Sequence, residues 1–280
     1  MASSTIRRTL SAFFAAAVVA GLAACSSGAD GSPPGDNGAT GDAKITIGVA
    51  SDEPGVSEKV DGGYQGFDVD TAAFVAGKLG VPTKNITWKP LDQAERVTAL
   101  EKGEVDLVVS TFSITPDREQ KVSFSKPYFV AHQDLLIRRN DDTIVSPQTL
   151  DGKTLCAASG TTSADYVTAN YKGKITLREA PTWSECVRSL ANGDVDAVST
   201  DDLILAGFAA DPKYNGVLRV IGKGFNDETY GIGIKKGDTA TVDKVNAALK
   251  EYIDSGAWKR SLDTWVAPSG YKLPSPPNIG

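Results

Sequence analysis

The chain of 280 residues has one histidine, one methionine at its initiator position and three cysteines. A single imidazole, with no Cys pair at ligand spacing and no Asp-rich calcium loop, argues against a metal site. A Ser or Cys nucleophile would lack its usual base, and His132, beside the aromatic run YFVA, reads as structural. Positive charge is also in short supply. Lys and Arg number 29 against 35 Asp and Glu, a formal net charge of −6, so the basic surface that nucleic acid needs is not expected. No Gly-rich phosphate loop carries a Lys, and no apolar run is long enough to span a bilayer. These absences predict neither metal, cofactor, nucleic acid nor catalysis.

The N-terminal segment is read apart from the fold. Arg7 and Arg8 precede an apolar stretch from Ala12 to Ala20, and then comes Leu22-Ala23-Ala24-Cys25, the charged region, apolar region and small-residue cleavage site of an export signal. LAAC followed by SSG resembles the bacterial lipobox, which implies cleavage before Cys25 and lipid on its thiol; the alternative is an ordinary secretory signal with an incidental Cys. The segment after it, rich in Gly, Ser, Pro and Asp, reads as a flexible tether. Residues 1–24 are therefore expected to be a signal peptide and residues 25–43 a lipidated Cys and tether, holding an exported domain at the extracellular face of the cytoplasmic membrane. With Cys25 given to lipid, Cys156 and Cys186 are an even pair in an oxidising compartment and are expected to form a disulfide, two buried free thiols being the alternative.

An internal echo organises the rest. GEVDLVVS, Gly103 to Ser110, returns as GDVDAVST, Gly193 to Thr200. Each copy follows an amphipathic helical tail, with Val97 and Leu100 in one and Val187 and Leu190 in the other, and opens with Gly where a helix usually ends left-handed. Each then runs into a short apolar strand of the kind buried on both faces. Hydroxyls and acids follow both copies, STFSITPDRE and STDD, and ligands in open α/β sheets bind just beyond the carboxyl ends of the strands. Two such edges facing each other make a cleft.

Around the echoes, Ile45 to Val49 reads as the first strand and the stretch from Asp68 to Gly80 as a helix. Ile86 to Lys89 reads as a strand, Asp92 to Lys102 as the first echoed helix and Val105 to Ser110 as its strand. Gln133 to Arg138 leads away as a strand. Thr154 to Ala158 and Ile175 to Leu177 add two more, YGIGIK (Tyr230 to Lys235) returns, and a helix from Val242 to Ile253 ends the pattern. One βα lobe is interrupted by a second, with two crossings.

Candidate binding groups sit at the strand ends. Arg118, near the hydroxyls of Thr111, Ser113 and Thr115, offers a planar fork for a carboxylate, or is a surface Arg in a charged turn. Gly160-Thr161-Thr162-Ser163 opens a helix whose free N–H groups favour an anion, or simply caps it. Asp201 and Asp202 end the second echoed strand, where a carboxylate can meet an ammonium or cap the next helix.

The segments GFDVD, SITPDRE, FSKPY, SGTTS, GDVDAVSTDD and YGIGIKKGD, in this order, resemble the bacterial extracellular solute-binding proteins for polar amino acids, from about Ile45 to Trp265. TDDLILAG, the SDEPG loop and the Cys156 and Cys186 pair resemble in particular the glutamate-binding lipoproteins of actinobacterial importers. The resemblance implies a type II periplasmic-binding-protein-like α/β fold, two α/β lobes joined by a two-crossing hinge, with residues 44–131 plus 230–280 in lobe 1 and 132–229 in lobe 2. It implies that Arg118 holds a ligand's α-carboxylate, aided by Ser113, Thr161 and Thr162, that Asp201 takes the α-ammonium with a backbone carbonyl at Thr111, and that Arg96 meets a side-chain carboxylate. Arg96 and Arg118 against Asp201 leave one positive charge, which suits glutamate, with aspartate second. An exposed Arg96 paired to Asp92 is the alternative. A monomer delivering its ligand to ABC importer permease subunits is expected. Glutamine or asparagine binding, a sensory module and a dehydratase on the same fold remain alternatives.

Overall fold

The computed structural model describes residues 43–171 and 174–279. Cys25, the export signal and the tether up to residue 42 lie outside the described residues. Alternating β-branched residues form strand β1 (Ile45–Val49), as the period-two pattern predicts. A small antiparallel meander follows, β2 (Asp52–Glu53), β3 (Ser57–Val60) and β4 (Gly63–Gln65). Then come α1 (Phe67–Lys78), β5 (Ile86–Pro90), α2 (Arg96–Glu101), β6 (Leu107–Val108), α3 (Pro116–Glu119) and β7 (Val122–Phe124). The long β8 (Phe129–Arg138) leads into β9 (Thr154–Ala158), α4 (Thr162–Asn170), β10 (Thr176–Ala180), α5 (Trp183–Asn192), β11 (Ala197–Asp201), α6 (Asp202–Ala210) and β12 (Leu218–Val220). The chain returns through β13 (Asp227–Tyr230) and β14 (Gly233–Lys235) to α7 (Thr239–Asp254) and α8 (Ala257–Trp265).

Two sheets carry the architecture, and they repeat one plan. The first has the order β5-β1-β6-β14-β7, the second β10-β9-β11-β8-β12. In each, the echoed strand, β6 or β11, runs parallel to one neighbour and antiparallel to the other. The echo in the sequence is thus a repeated place in two like sheets. Gly103 and Gly193 both take positive φ, +67° and +87°, the left-handed helix stop that a side chain disfavours.

Alternation puts apolar side chains on both faces of each sheet. In the second, Cys156 and Val198 enter one buried cluster while Leu155 and Ala197 enter another. In the first, Ile47 and Leu107 face the main cluster and Val108 a smaller one. The fold is bilobed, one sheet to a lobe. Its crossings touch directly: β8 and β13 pair antiparallel with Phe129 opposite Tyr230, and the two rings stack at 5.7 Å. Cys156 and Cys186 form the expected disulfide, tying β9 to α5 with Cα atoms 5.4 Å apart.

Several boundaries differ from expectation for physical reasons. The first echoed strand, expected over Val105–Ser110, is assigned only at Leu107–Val108, although pairing with β1 extends from Asp106 N, bonded to Thr46 O, to Val109 N, bonded to Gly48 O. Thr111, at φ 43°, then turns the chain sharply. The helix expected from Asp92 divides into a tight turn, Gln93–Glu95, capped by reciprocal Asp92 and Glu95 bonds, and α2. YGIGIK divides as well, because Gly231 N leaves the ladder to bond Phe112 O. The strand expected at Ile175–Leu177 lies at Thr176–Ala180, and α8 was not anticipated.

Candidate functional site

Arg96 opens α2, and its side chain is buried, with 2% exposure. It has no bond to Asp92. Its Nε donates to Gln93 O at 2.9 Å, and its Nη1 to Ser110 O at 2.9 Å and Thr111 O at 3.2 Å. From the other lobe, Gly160 O lies 3.5 Å from Nη2. Burial and the nearby Arg118 cation push its guanidinium down to about 9, opposed by Glu53 and Asp201.

Arg118 sits on α3, whose N-cap Thr115 accepts from Arg118 N. Its Nη1 donates to Ser113 O at 2.7 Å and its Nη2 reaches across to Gly160 O at 3.0 Å. Both guanidinium carbons lie over the Phe112 ring, 4.6 Å from its centroid for Arg96 and 4.9 Å for Arg118. Burial lowers the Arg118 pKa, against the pull of Glu228, Asp165 and Asp201.

Arg96, Thr111, Ser113, Thr161, Thr162 and Asp201 line one small cavity of about 10 Å³, room for about one water. Arg118 does not line it; with Thr162 and Glu228 it borders the adjoining cleft. The hydroxyls of Thr161 and Thr162, expected to aid Arg118 in holding a carboxylate, already have partners. Thr161 Oγ1 caps α4, accepting from Ala164 N and donating to Ala158 O, and Thr162 Oγ1 donates to Glu228 Oε2 at 2.9 Å. The Thr111 carbonyl already accepts from Arg96.

Asp201 ends β11. Its Oδ2 accepts from Tyr230 Oη at 2.5 Å, whereas its buried Oδ1 has no partner among the described residues. Burial, with Glu228 nearby, raises its carboxyl well above the ordinary range. A buried acceptor without a partner costs free energy unless something fills it, and an ammonium would.

The charge count drawn from the sequence omitted the acids beneath the cavity. Glu53 is fully buried, its Oε1 accepting from Gln93 Nε2 at 2.8 Å and Thr111 Oγ1 at 3.1 Å. Asp68, equally buried, accepts from Thr111 N at 2.7 Å and Tyr128 Oη at 2.8 Å, and burial pushes it up to about 6. In the sequence these acids look like a surface turn and a helix start. Gln93 and Trp183 also line the cavity, and Gln93 Oε1 and Trp183 Nε1 are buried without partners among the described residues. A wider groove of about 920 Å³ beside Asp202 and Tyr271 is lined by none of the residues with partnerless buried atoms. His132, half-exposed there, lies 3.4 Å from Asp202 and 3.5 Å from Asp227.

The chain is similar to known proteins over most of the described residues. The glutamate-binding protein GluB of Corynebacterium efficiens is 37% identical over 264 residues, covering 90% of this chain and 89% of its own. The ABC transporter glutamine-binding protein GlnH of Bacillus subtilis is 32% identical over 226 residues, covering 80% and 81%. Among solved structures, an ancestral arginine-binding protein bound to glutamine superposes with a TM-score of 0.73 at 31% identity, over 79% of this chain and 97% of that one. The pattern describing bacterial extracellular solute-binding proteins, family 3, matches residues 45–268, a span that takes in both sheets and every cavity residue named above, and the chain belongs to that family.

Proposed function

We propose that the protein captures an L-amino acid with an acidic side chain, glutamate first and aspartate second, between its two lobes and delivers it to an ABC importer. Residues 44–131 with 230–280 form one lobe and 132–229 the other. Arg118 takes the α-carboxylate with the N-terminus of α4, Asp201 takes the α-ammonium, and Arg96 meets the side-chain carboxylate. The observation that carries this reading is the partnerless Asp201 Oδ1, buried in one cavity with Arg96. The cavity is too small for an amino acid, so the lobes must part to admit one and close over it, a hinge motion. In a closed, dry cleft these charged pairs strengthen. The GluB likeness supports glutamate, and lipid on Cys25 supplies the membrane tether.

Titration calorimetry of the domain, unfolded and refolded to strip carried ligand, tests this with glutamate, aspartate, glutamine, asparagine and arginine. Glutamate is expected to bind, and the Arg118→Ala variant to lose binding of every ligand by about a hundredfold or more, the scale of a charged hydrogen-bonded pair. Arginine binding in preference to glutamate would remove Arg96 from the side-chain role. Silence across the panel would overturn the reading.

A further inference from the structure

Two residues that line the cavity carry polar atoms that the assignment above does not use. Trp183 Nε1 is a donor and Gln93 Oε1 an acceptor, both buried and both without a partner among the described residues. Gln93 presents its oxygen because its amide nitrogen is held from behind by Glu53 Oε1. With Glu53 ionised, that orientation is fixed: a carboxylate accepts only, so the NH₂ must face it. The cavity then meets the end of a ligand side chain with one donor and one acceptor. This pairs with a carboxamide, whereas a carboxylate would set acceptor against acceptor at Gln93 Oε1.

A proton on Glu53 reverses this. Placed on Oε1, the oxygen that faces Gln93 and Thr111, it turns that atom into a hydroxyl that needs an acceptor on the Gln93 side. A half-turn of the Gln93 amide supplies Oε1 and swings the NH₂ donors into the cavity, where they suit a carboxylate beside Arg96.

We propose that Gln93 reads the far end of the ligand's side chain, and that the protonation of Glu53 sets which way its amide points, making the cleft a glutamine site when Glu53 is ionised and a glutamate site when it is protonated. This rests on the amino-acid-binding function proposed above. The groups facing Glu53 are Asp52 on its own strand, Asp68 from α1, Arg96 on α2, Thr111 beyond β6, and the phenols of Tyr128 and Tyr230. Burial, with Asp68 and Asp52, holds the Glu53 carboxyl well above its ordinary range, opposed by Arg96.

The test is the ratio Kd(glutamate)/Kd(glutamine), measured by calorimetry from about pH 5.5 to 7.5, below the range in which Arg96, at about 9, loses its proton. Asp201 and Arg118 meet groups that both ligands share, so their titration cancels in the ratio. In the wild type the ratio rises with pH, by up to about tenfold per unit for one linked proton. In Glu53→Gln, which does not titrate, and in Gln93→Met, which has no amide, it is flat. A flat ratio in the wild type, or an equal slope in a folded variant, overturns the inference. If the wild type binds neither ligand at any pH, the proposed function itself falls. Should Glu53→Gln not fold, Gln93→Met alone decides.

Discussion

Gly207 lies within α6, where a Cβ would come 2.1 Å from the carbonyl oxygen of Pro54 in the loop between β2 and β3. An ordinary carbon–oxygen approach is about 3.3 Å or more, so closure over Gly207→Ala requires α6 and that loop to separate by about 1 Å. On the lobe division proposed above, Pro54 belongs to the first lobe and α6 to the second, so the clash exists only when the lobes are together. Alanine is favoured over glycine in a helix by about 1 kcal/mol, so the unliganded protein should keep or gain stability. Strain in the closed form should cost about 1–3 kcal/mol, which is roughly 5- to 150-fold in Kd. Thermal unfolding without ligand, beside calorimetry with it, separates the two effects. Undiminished affinity in a well-folded Gly207→Ala protein would refute closure at this contact.

Replacing Cys156 and Cys186 with Ser removes a cross-link between positions separated by 30 in sequence, worth about 3.5 kcal/mol in the chain-entropy model; the melting temperature should fall by roughly 10 °C, and a loss of only a degree or two would refute that magnitude. Asp68, raised from 3.8 to about 6 by burial, binds a proton more readily folded than unfolded, so it makes stability fall as pH rises from about 4 to 6. Asp68→Asn should flatten that part of the denaturation profile, and an unchanged slope would exonerate Asp68. Cys25→Ser in the full chain, expressed in an exporting host, should shift the protein from membrane to soluble fractions, whereas persistent membrane association would remove the lipid role.

The echoed helix–glycine–strand units were legible because their signals are local: periodicity, a glycine stop and an apolar strand. Their common place in two like sheets followed directly. The disulfide was legible from an even pair in an exported chain, and the convergence of Arg96, Thr111, Ser113 and Asp201 from strand-end position and family motif. What stayed hidden depends on contacts distant in sequence. Glu53 and Asp68 look solvated in a row of letters, and only the fold brings Thr111 N and Oγ1 onto them. The hydroxyls of Thr161 and Thr162 invite a ligand on paper, yet one caps its own helix and the other meets Glu228, whose position 66 residues away no local pattern announces.

The placement of β14 between β6 and β7 also orders events during synthesis. Every strand in the main order of the second sheet lies between Phe129 and Val220 and can pair before the C-terminus leaves the ribosome. The first sheet cannot close until Gly233–Lys235 emerges, because that strand separates two others made more than a hundred residues earlier. The inserted lobe, which carries the disulfide, is therefore free to mature first, while the lobe that begins the fold waits for its last strand and completes the molecule.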